Sequence, residues 1–579
     1  MKMEQGKFII EEFEAKDGNP ILKINEYYIH SKYNPVREAE QVIAKKYSPH
    51  SLNIVFGYGS GHYIDELIKR NRYDEQIIVI DPLLGRDELK IKKEHDEIVK
   101  ISSELISFLE DVLININSKV RTKFNVYCTK NYDKIFPGLY KELLQKIRDL
   151  QEANRVNDNT LMMFSEKWQK NLALNLNHMN RDASIENLKN MFELPIVIAS
   201  SGPSLLKQLP LVKKWRKNII LLSSGSTTNV LLDNDISPDY IVTIDGGDAN
   251  YNHFSNLLIK NATMIYSFQN HPKIRDSFEK QAIICNLLGH ADVNKYVDEF
   301  IGEKIPSLLA GSTVANLSFS IAQYISSGPI AFIGQDLAFT DNLSHVKGHN
   351  HVKEIEVTNK DEFELVDGYY EGKIQTSTSM NSMRIAFERM IVVQPPSNEF
   401  FNCTEGGAKL KGYKQIPFKD FVRKYVVENE DEMIISNDLK FPVLMENSQV
   451  LKKHMQDLKN TKELIKIYKS SIKTIENDST IEKFKNSTIK TLDANDMEIS
   501  RLNKKLPISH ILMPTILSVD TQYLEKENET EYQRFNRVKN QNIDFYKNGL
   551  LAVEKYLEIV QFAIKEKRDE INDSNRRSR

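Results

Sequence analysis

Three of the thirteen histidines, His345, His349 and His351, fall within seven residues. They close the stretch IGQDLAFTDNLSHVKGHNH, residues 333–351, in which Asp336 and Asp341 lie upstream. Imidazole changes its protonation near neutral pH, which suits it to take a proton from a hydroxyl as a general base. His345 and His349 also have the four-residue spacing of zinc ligands on a helix. Gly348 inside that spacing, and the lack of a glutamate directly after His345, argue against zinc. Plain exposed loop histidines are the alternative.

A second group of residues is built to meet an anion. In PIVIASSGPSL, residues 195–205, the apolar run 196–199 reads as a buried parallel strand. Ser200, Ser201 and Gly202 form a small-residue turn, and Pro203 and Ser204 follow, with Pro203 suited to the first position of a helix. Strand, small turn and helix start bring backbone N–H groups to a phosphate; an ordinary strand-to-helix turn is the competing reading. Gly311, Ser312 and Thr313 precede another apolar helical run. Ser312 or Thr313 would act as a plain N-cap, or offer a hydroxyl to a carboxylate or phosphate at a positively polarised helix end.

These groups need a scaffold. Strand-like runs recur at 196–199, 219–223, 240–244, 264–267, 283–286 and 330–333, with helical pieces between several of them. That alternation predicts a mostly parallel sheet with helices on its faces, and functional groups at the carboxyl ends of its strands. Those ends carry Ser224 and Thr227, then Asp245-Gly246-Gly247-Asp248, then Gln269-Asn270-His271, then Gly334-Gln335-Asp336. Upstream, a strand at 52–56, the turn Gly57-Tyr58-Gly59-Ser60-Gly61 and a strand ending in Asp81 form a smaller α/β pattern. It reads as a scaffold, or as an incomplete dinucleotide or S-adenosylmethionine fingerprint. Beyond residue 425 the apolar residues Leu451, Met455, Leu458, Ile465, Tyr468, Ile472 and Ile475, and later Tyr546, Leu550, Val553, Leu557, Val560 and Ile564, recur at helical spacing.

The expected organisation is therefore an N-terminal α/β domain over 1–150, a helical connector over 151–190, a central α/β domain over 191–424 and a C-terminal all-helical domain over 425–579. At 579 residues, 40% hydrophobic and 27% charged, the chain has the make-up of a soluble multidomain protein. A net charge of -2 gives no reason to expect nucleic acid or a membrane surface as a partner. No run of eighteen apolar residues occurs, and residues 1–18 are too charged for a signal peptide. Cys128, Cys285 and Cys403 are scattered without metal-like spacing. A cytoplasmic location in a reducing compartment is expected.

The motifs, in their order, resemble a known family. PIVIASSGPSLL, LLAGSTVANLSFSIAQYISSGPIAFIGQDLAFTD and SHVKGH, supported by His30–Pro35, residues 226–245 and NCTEGGAKLKG at 402–412, are similar to the motility accessory factor (Maf) proteins. These are bacterial flagellin glycosyltransferases that attach nonulosonic acids. The same core resembles bacterial sialyltransferases that use CMP-sialic acid, although Ser201 stands where those enzymes carry a nucleotide-sugar-contacting asparagine. The resemblance implies a Rossmann-like, sialyltransferase-like (GT-A variant) central domain. It implies transfer from a CMP-activated nonulosonic acid, of the pseudaminic or legionaminic type, to Ser or Thr of flagellin, with no cofactor and no metal required. His349 falls on the proposed base, His345 is its fallback, and Asp336 would orient their loop. Asp245 would bind ribose or cytosine, or else pair with Asp248 around a metal. Two other functions remain open: a pterin pyrophosphokinase of the same domain type, needing magnesium and ATP, and a non-enzymatic flagellin-binding chaperone.

Overall fold

The structure is a computed structural model that describes residues 8–70, 75–102, 123–346, 363–393, 395–426, 439–480, 482–525 and 529–577. They fall into two compact units, one running to Met163, the other from Phe164 on apart from a short stretch at Glu525.

In the first unit, β1 (Ile10–Glu14), β2 (Pro20–Ile24) and β3 (Tyr27–Tyr28) form a small antiparallel sheet. The segment His30–Pro35 then starts a helix, Pro35–Lys46, with Asn34 Oδ1 accepting from Arg37 N at 2.7 Å and proline in the first turn. A parallel sheet follows, made of β4 (Leu52–Phe56), β5 (Gln76–Asp81), β6 (Val99–Ser102) and β7 (Phe124–Cys128), in the order β6-β5-β4-β7. The glycine turn after β4 sits where the strand order reverses, but its open space is filled from within. A Cβ on Gly57 would lie 2.4 Å from the Tyr132 ring, and one on Gly59 would lie 2.5 Å from His30 Nε2. Asp81 is buried and accepts from Tyr58 N at 2.6 Å, Leu83 N at 2.7 Å and the Tyr132 hydroxyl at 3.0 Å. The glycines and the acid of the fingerprint-like pattern thus hold this unit's own side chains, which is the scaffold reading.

The second unit is built on a nine-stranded parallel sheet. Its strands are β8 (Ala183–Ser184), β9 (Ile196–Ala199), β10 (Ile220–Ser224), β11 (Tyr240–Thr243), β12 (Thr263–Tyr266), β13 (Ile283–Ile284), β16 (Ile330–Ile333), β19 (Phe400–Asn402) and β20 (Lys414–Gln415). The short pairs β14 (Asn286–Leu287) with β15 (Ser307–Leu308), and β17 (Glu364–Asp367) with β18 (Lys373–Thr376), lie outside it. The sheet order is β20-β19-β16-β9-β10-β11-β12-β13-β8. Ile196, Ile198, Ile220 and Leu222 pack into one core, while Val197, Ala199, Leu221 and Ile333 pack into another on the opposite face. Burial on both faces is why these strands read as continuous apolar runs rather than alternating ones. From β9 the chain steps outward to β10 through β13, and later returns to the other side as β16. The crevice at the carboxyl ends of β9 and β16 is a topological switch point, where open parallel sheets bind ligands. The expected α/β fold class, with a helical C-terminal part, holds.

The C-terminal helices Asn447–Glu476, Asn486–Asn503, Ser509–Gln522 and Glu531–Arg577 pack in the same unit as the sheet. Buried Lys567 joins them to it, donating to Asn177 O at 2.7 Å and Asn180 Oδ1 at 2.8 Å. The first helix turns a more polar face inward than its apolar spacing suggests. Met455 is 48% exposed, while His454, Asp457, Thr461 and Ser471 are buried beside Leu464, Tyr468 and Ile475. These polar groups have partners: His454 Nε2 meets Asn177 Oδ1 at 3.0 Å, and the Thr461 hydroxyl donates to Asp457 O at 2.7 Å.

Asp457 makes this seam sensitive to pH. Burial pushes its carboxyl up to about 7, although the Tyr296 hydroxyl donates to it. An acid whose folded pKa is raised binds more protons folded than unfolded, so its contribution is complete below about pH 4 and is lost as pH climbs through about 7. Asp457→Asn keeps an acceptor for Tyr296 and removes the charge. We expect its melting temperature to exceed the wild-type value at pH 8 and the difference to vanish near pH 4, corresponding to at most about 4 kcal/mol. Equal melting curves at both pH values would contradict this.

Candidate active site

A cavity of about 340 Å³ opens at the carboxyl ends of β9, β10, β11 and β16. Its floor is the small-residue turn after β9, with Ser200, Ser201 and Gly202 on the surface. The turn is clamped to the loop after β16. Gly202 N donates to Gly334 O at 2.8 Å, Val346 N donates to Ser201 O at 2.9 Å, and Ser200 Oγ donates to Gln335 Oε1 at 2.5 Å.

Asp336 is the centre of the clamp. One of its oxygens accepts from Ser204 Oγ at 2.7 Å and Ser204 N at 3.3 Å, and the other accepts from the Thr340 hydroxyl. Its backbone carbonyl accepts from Ala408 N at 2.7 Å. Burial pushes its carboxyl above the ordinary aspartate value, opposed by these hydroxyl and N–H donors. At 2% exposure, Asp336 anchors the turn and the start of the histidine loop rather than presenting a free oxygen to the cavity. It also explains why the next helix starts at Leu205 and not at Pro203: Ser204 is tied to the carboxylate, and the chain enters the helix only after it. Asp336→Ala leaves three buried donors without an acceptor, an expected loss of about 2–5 kcal/mol in urea unfolding. Asp336→Asn, which keeps the shape and one acceptor, is expected to lose less.

The rest of the wall comes from separate elements. Ser224, Gly225 and Ser226 begin the helix Gly225–Asp233, and Ser224 Oγ is held 2.9 Å from the Thr227 hydroxyl. Thr227 is buried behind it. Thr313 caps the helix Val314–Ile325, accepting from Asn316 N at 3.1 Å while Asn316 Oδ1 accepts from Thr313 N at 3.1 Å. Gly311, at φ 60°, lies against Asn316, where a Cβ would come within 2.5 Å. The Thr313 hydroxyl is occupied by its cap, so an anion in the cavity meets the backbone N–H groups of Val314 and Ala315. Ser312 is exposed and outside the lining.

Asp245 is exposed at the cavity edge, where Oδ1 accepts from Gly247 N at 2.8 Å. Asp248 is engaged elsewhere, with Lys167 Nζ at 2.6 Å and His271 Nε2 at 3.3 Å. Among the described residues no group of three or more His, Cys, Asp or Glu is placed to hold a metal ion. Asn270 is buried under the site and accepts from the Thr243 hydroxyl at 2.8 Å. The asparagines of the helix Pro137–Asn175 hold these strand ends from outside. Asn171 Nδ2 donates to Gly246 O at 3.2 Å and Gln269 O at 3.0 Å, and Asn175 Nδ2 donates to Phe268 O at 2.9 Å and Asn270 O at 2.7 Å.

Of the residues read from the sequence, Ser200, Ser201, Gly202, Ser224, Asp245, Thr313, Gln335, Asp336 and His345 line the cavity. Ser204, Thr227, Asn270 and Gly311 stand behind it as supports, and Pro203 only completes the turn. His345 Nδ1 lies 3.1 Å from Ser344 Oγ. His349 and His351 lie outside the described residues. Lining residues that escaped sequence reasoning include Asn250, His253, Met380 and Met383. Asn250 Nδ2 donates to Thr243 Oγ1 and to Asp245 O, both at 2.8 Å. Asn250 and His253 follow Asp245 within eight residues, so the strand-end rule applied a little further along the chain would have found them. The methionines come from the helix Thr378–Val393 and carry no local signal.

Residues 170–342 match the sequence family described as 6-hydroxymethylpterin diphosphokinase MptE-like. No curated protein has a sequence that matches this chain. The fold is similar to the solved structure of MAf glycosyltransferase from Magnetospirillum magneticum AMB-1, with a TM-score of 0.59 and 15% identity over 99% of this chain and 96% of that one. The likeness to Maf proteins thus extends from the motifs to the fold of the whole chain.

Proposed function

We propose that the protein is a glycosyltransferase that moves a nonulosonic acid from a CMP donor to Ser or Thr hydroxyls of flagellin, in the cytoplasm. The observation that carries this reading is the cavity at the switch point, where a small-residue turn, two helix starts and His345 converge. It is supported by the full-length likeness in fold to a Maf glycosyltransferase.

In this reading the acceptor oxygen attacks the anomeric carbon as the bond from that carbon to the phosphate oxygen breaks. The acceptor proton goes to a histidine, and CMP leaves with the bonding pair. The configuration inverts, and the transition state has oxocarbenium character. The Ser201 N–H and the N–H groups of the two helix starts stabilise the charge on the departing phosphate and hold the sugar carboxylate. His349 is the proposed base by resemblance, and His345 is the histidine of that loop seen in the cavity.

The test is the intact mass of flagellin co-expressed with this protein and a CMP-nonulosonate pathway. A gain of whole nonulosonate units is expected. No gain, with donor and folded flagellin both confirmed, would overturn the reading and also leave the chaperone to be examined by flagellin binding. The MptE-like match over 170–342 favours a second reading, pyrophosphoryl transfer from ATP to a hydroxymethylpterin. Magnesium-dependent AMP release with that acceptor, and no CMP release from the sugar donor, would establish it instead.

A further inference from the structure

We propose that a second, basic pocket beside the candidate active site binds a carboxylate side chain of the acceptor protein and so helps to select it. This rests on the transferase reading above.

The pocket has a volume of about 180 Å³ and gathers Lys373, Arg384, Lys409 and Lys411 around a lone lining carboxylate, Asp367. The four cations come from three elements: β18, the helix Thr378–Val393 and the loop after β19. Lys373 Nζ lies 2.6 Å from Asp367 Oδ1, and Arg384 is neutralised by Glu388 at 2.5 Å. Lys409 and Lys411 form no ion pair among the described residues, and both are exposed. Lys373 first, then Lys411 and Lys409, hold the Asp367 carboxyl below its usual value, which reflects an excess of positive potential there.

The lysines are held where they are by the backbone. Lys409 N donates to Asp367 O at 2.8 Å, and Lys411 N donates to Glu388 Oε1 at 2.9 Å. Leu410 between them is fully buried, and Gln415 Nε2 donates to its carbonyl at 3.0 Å. The backbone at both lysines is thereby fixed, and the pocket gathers four cations against one carboxylate, Asp367, a surplus that favours a further anion.

The same loop and helix build the candidate active site. Gly407 lies against Asp336, where a Cβ would meet the Asp336 carbonyl oxygen at 2.1 Å, and Lys409 follows two residues later. Met380 and Met383 line the cavity, and Arg384 shares the helix face of Met380 at i+4. At about 180 Å³ the pocket is smaller than the roughly 300 Å³ at which small-molecule sites begin, so it takes a side-chain-sized group rather than a nucleotide sugar. The donor's own anionic groups already have the turn and helix starts of the larger cavity. An acidic side chain near the modified Ser or Thr would reach the pocket while the hydroxyl reaches the cavity.

The test compares wild type with Lys409→Gln/Lys411→Gln and Lys409→Glu/Lys411→Glu. Three rates or affinities are measured: transfer to flagellin, donor hydrolysis without acceptor, and binding of a fluorescein-labelled peptide carrying two glutamates beside a serine. The glutamine pair is expected to raise the KM for flagellin about three- to tenfold, and the glutamate pair more, with kcat and donor hydrolysis unchanged. Peptide affinity should fall in the same order and weaken with salt only in wild type. Unchanged KM and peptide binding overturn the proposal. Equal loss of donor hydrolysis overturns it too, by assigning the lysines to the donor. Wild-type transfer blocked by millimolar inorganic phosphate, with peptide binding absent, overturns the acceptor as the source of the anion. If wild type consumes no donor at all, the transferase reading fails, and peptide binding alone still decides the pocket.

Discussion

Gly202→Ala is expected to abolish transfer. A Cβ at this position would sit 2.0 Å from Asp336 Oδ2 and 2.4 Å from Gly334 O. Neither neighbour can give way cheaply. The carboxylate is held by Ser204 and Thr340, and the Gly334 carbonyl is the acceptor for Gly202 N itself. The turn must therefore lift off the loop after β16, taking Ser200 and the Ser201 N–H out of register with the donor. A shift of about 1 Å in positioning groups can cost about 100-fold in rate, and overpacking of this kind costs roughly 1–3 kcal/mol in stability. Donor hydrolysis and protein transfer should fall together, because the defect lies on the donor side. Wild-type turnover in a folded Gly202→Ala protein would mean that the donor binds elsewhere.

His349→Ala is expected to lower transfer by about 10²–10⁴-fold, the usual range for a missing general base, with flagellin mass gain lost and folding intact. A base that acts on the acceptor hydroxyl affects transfer more than the binding of the donor. The acid limb of the pH–rate profile should disappear with it, because an imidazole must be neutral to accept the proton. His345→Ala is the companion measurement. If mass gain survives in His349→Ala and is lost in His345→Ala, the base is the histidine that lines the cavity. If it survives in both single variants and in the double variant, neither of these two histidines is the base, and His351 of the same loop and His253, which also lines the cavity, become the residues to replace.

Much of the fold was legible in the sequence because burial on both faces leaves an unmistakable mark. The runs at 196–199, 220–224, 240–243, 263–266 and 330–333 are apolar on both faces, and each forms a strand of the central sheet. The edge strands β8 and β20, and β19 beside β20, were not legible, being two or three residues long with pairing set by neighbours distant in the chain. The apolar stripe of Asn447–Glu476 packs into the helical core apart from Met455, but the polar residues buried beside it were not legible, for a related reason. Its polar residues are satisfied by partners such as Asn177, some 277 residues away, and a periodicity count ranks them as exposed.

The candidate site divides along the same line. By itself the sequence determined the residue types at the strand ends: the small turn Ser200–Gly202, the helix start at Thr313 and the histidine loop. It could do so because a strand followed by small and capping residues is a local pattern, set by backbone sterics and the orphan N–H groups of a helix start. Only the tertiary structure decided which of those residues face a ligand and which hold the others in place. Asp336, expected from the chain to orient the histidine loop, is held by Ser204 and Thr340 and offers no free oxygen, and the Thr313 hydroxyl is consumed by its own cap. Asn171 and Asn175, which look like the polar surface of a connector, are buried against strand-end carbonyls. The physical reason is that a buried polar group must find a partner, and the partner is chosen by packing across the fold rather than by its neighbours in sequence.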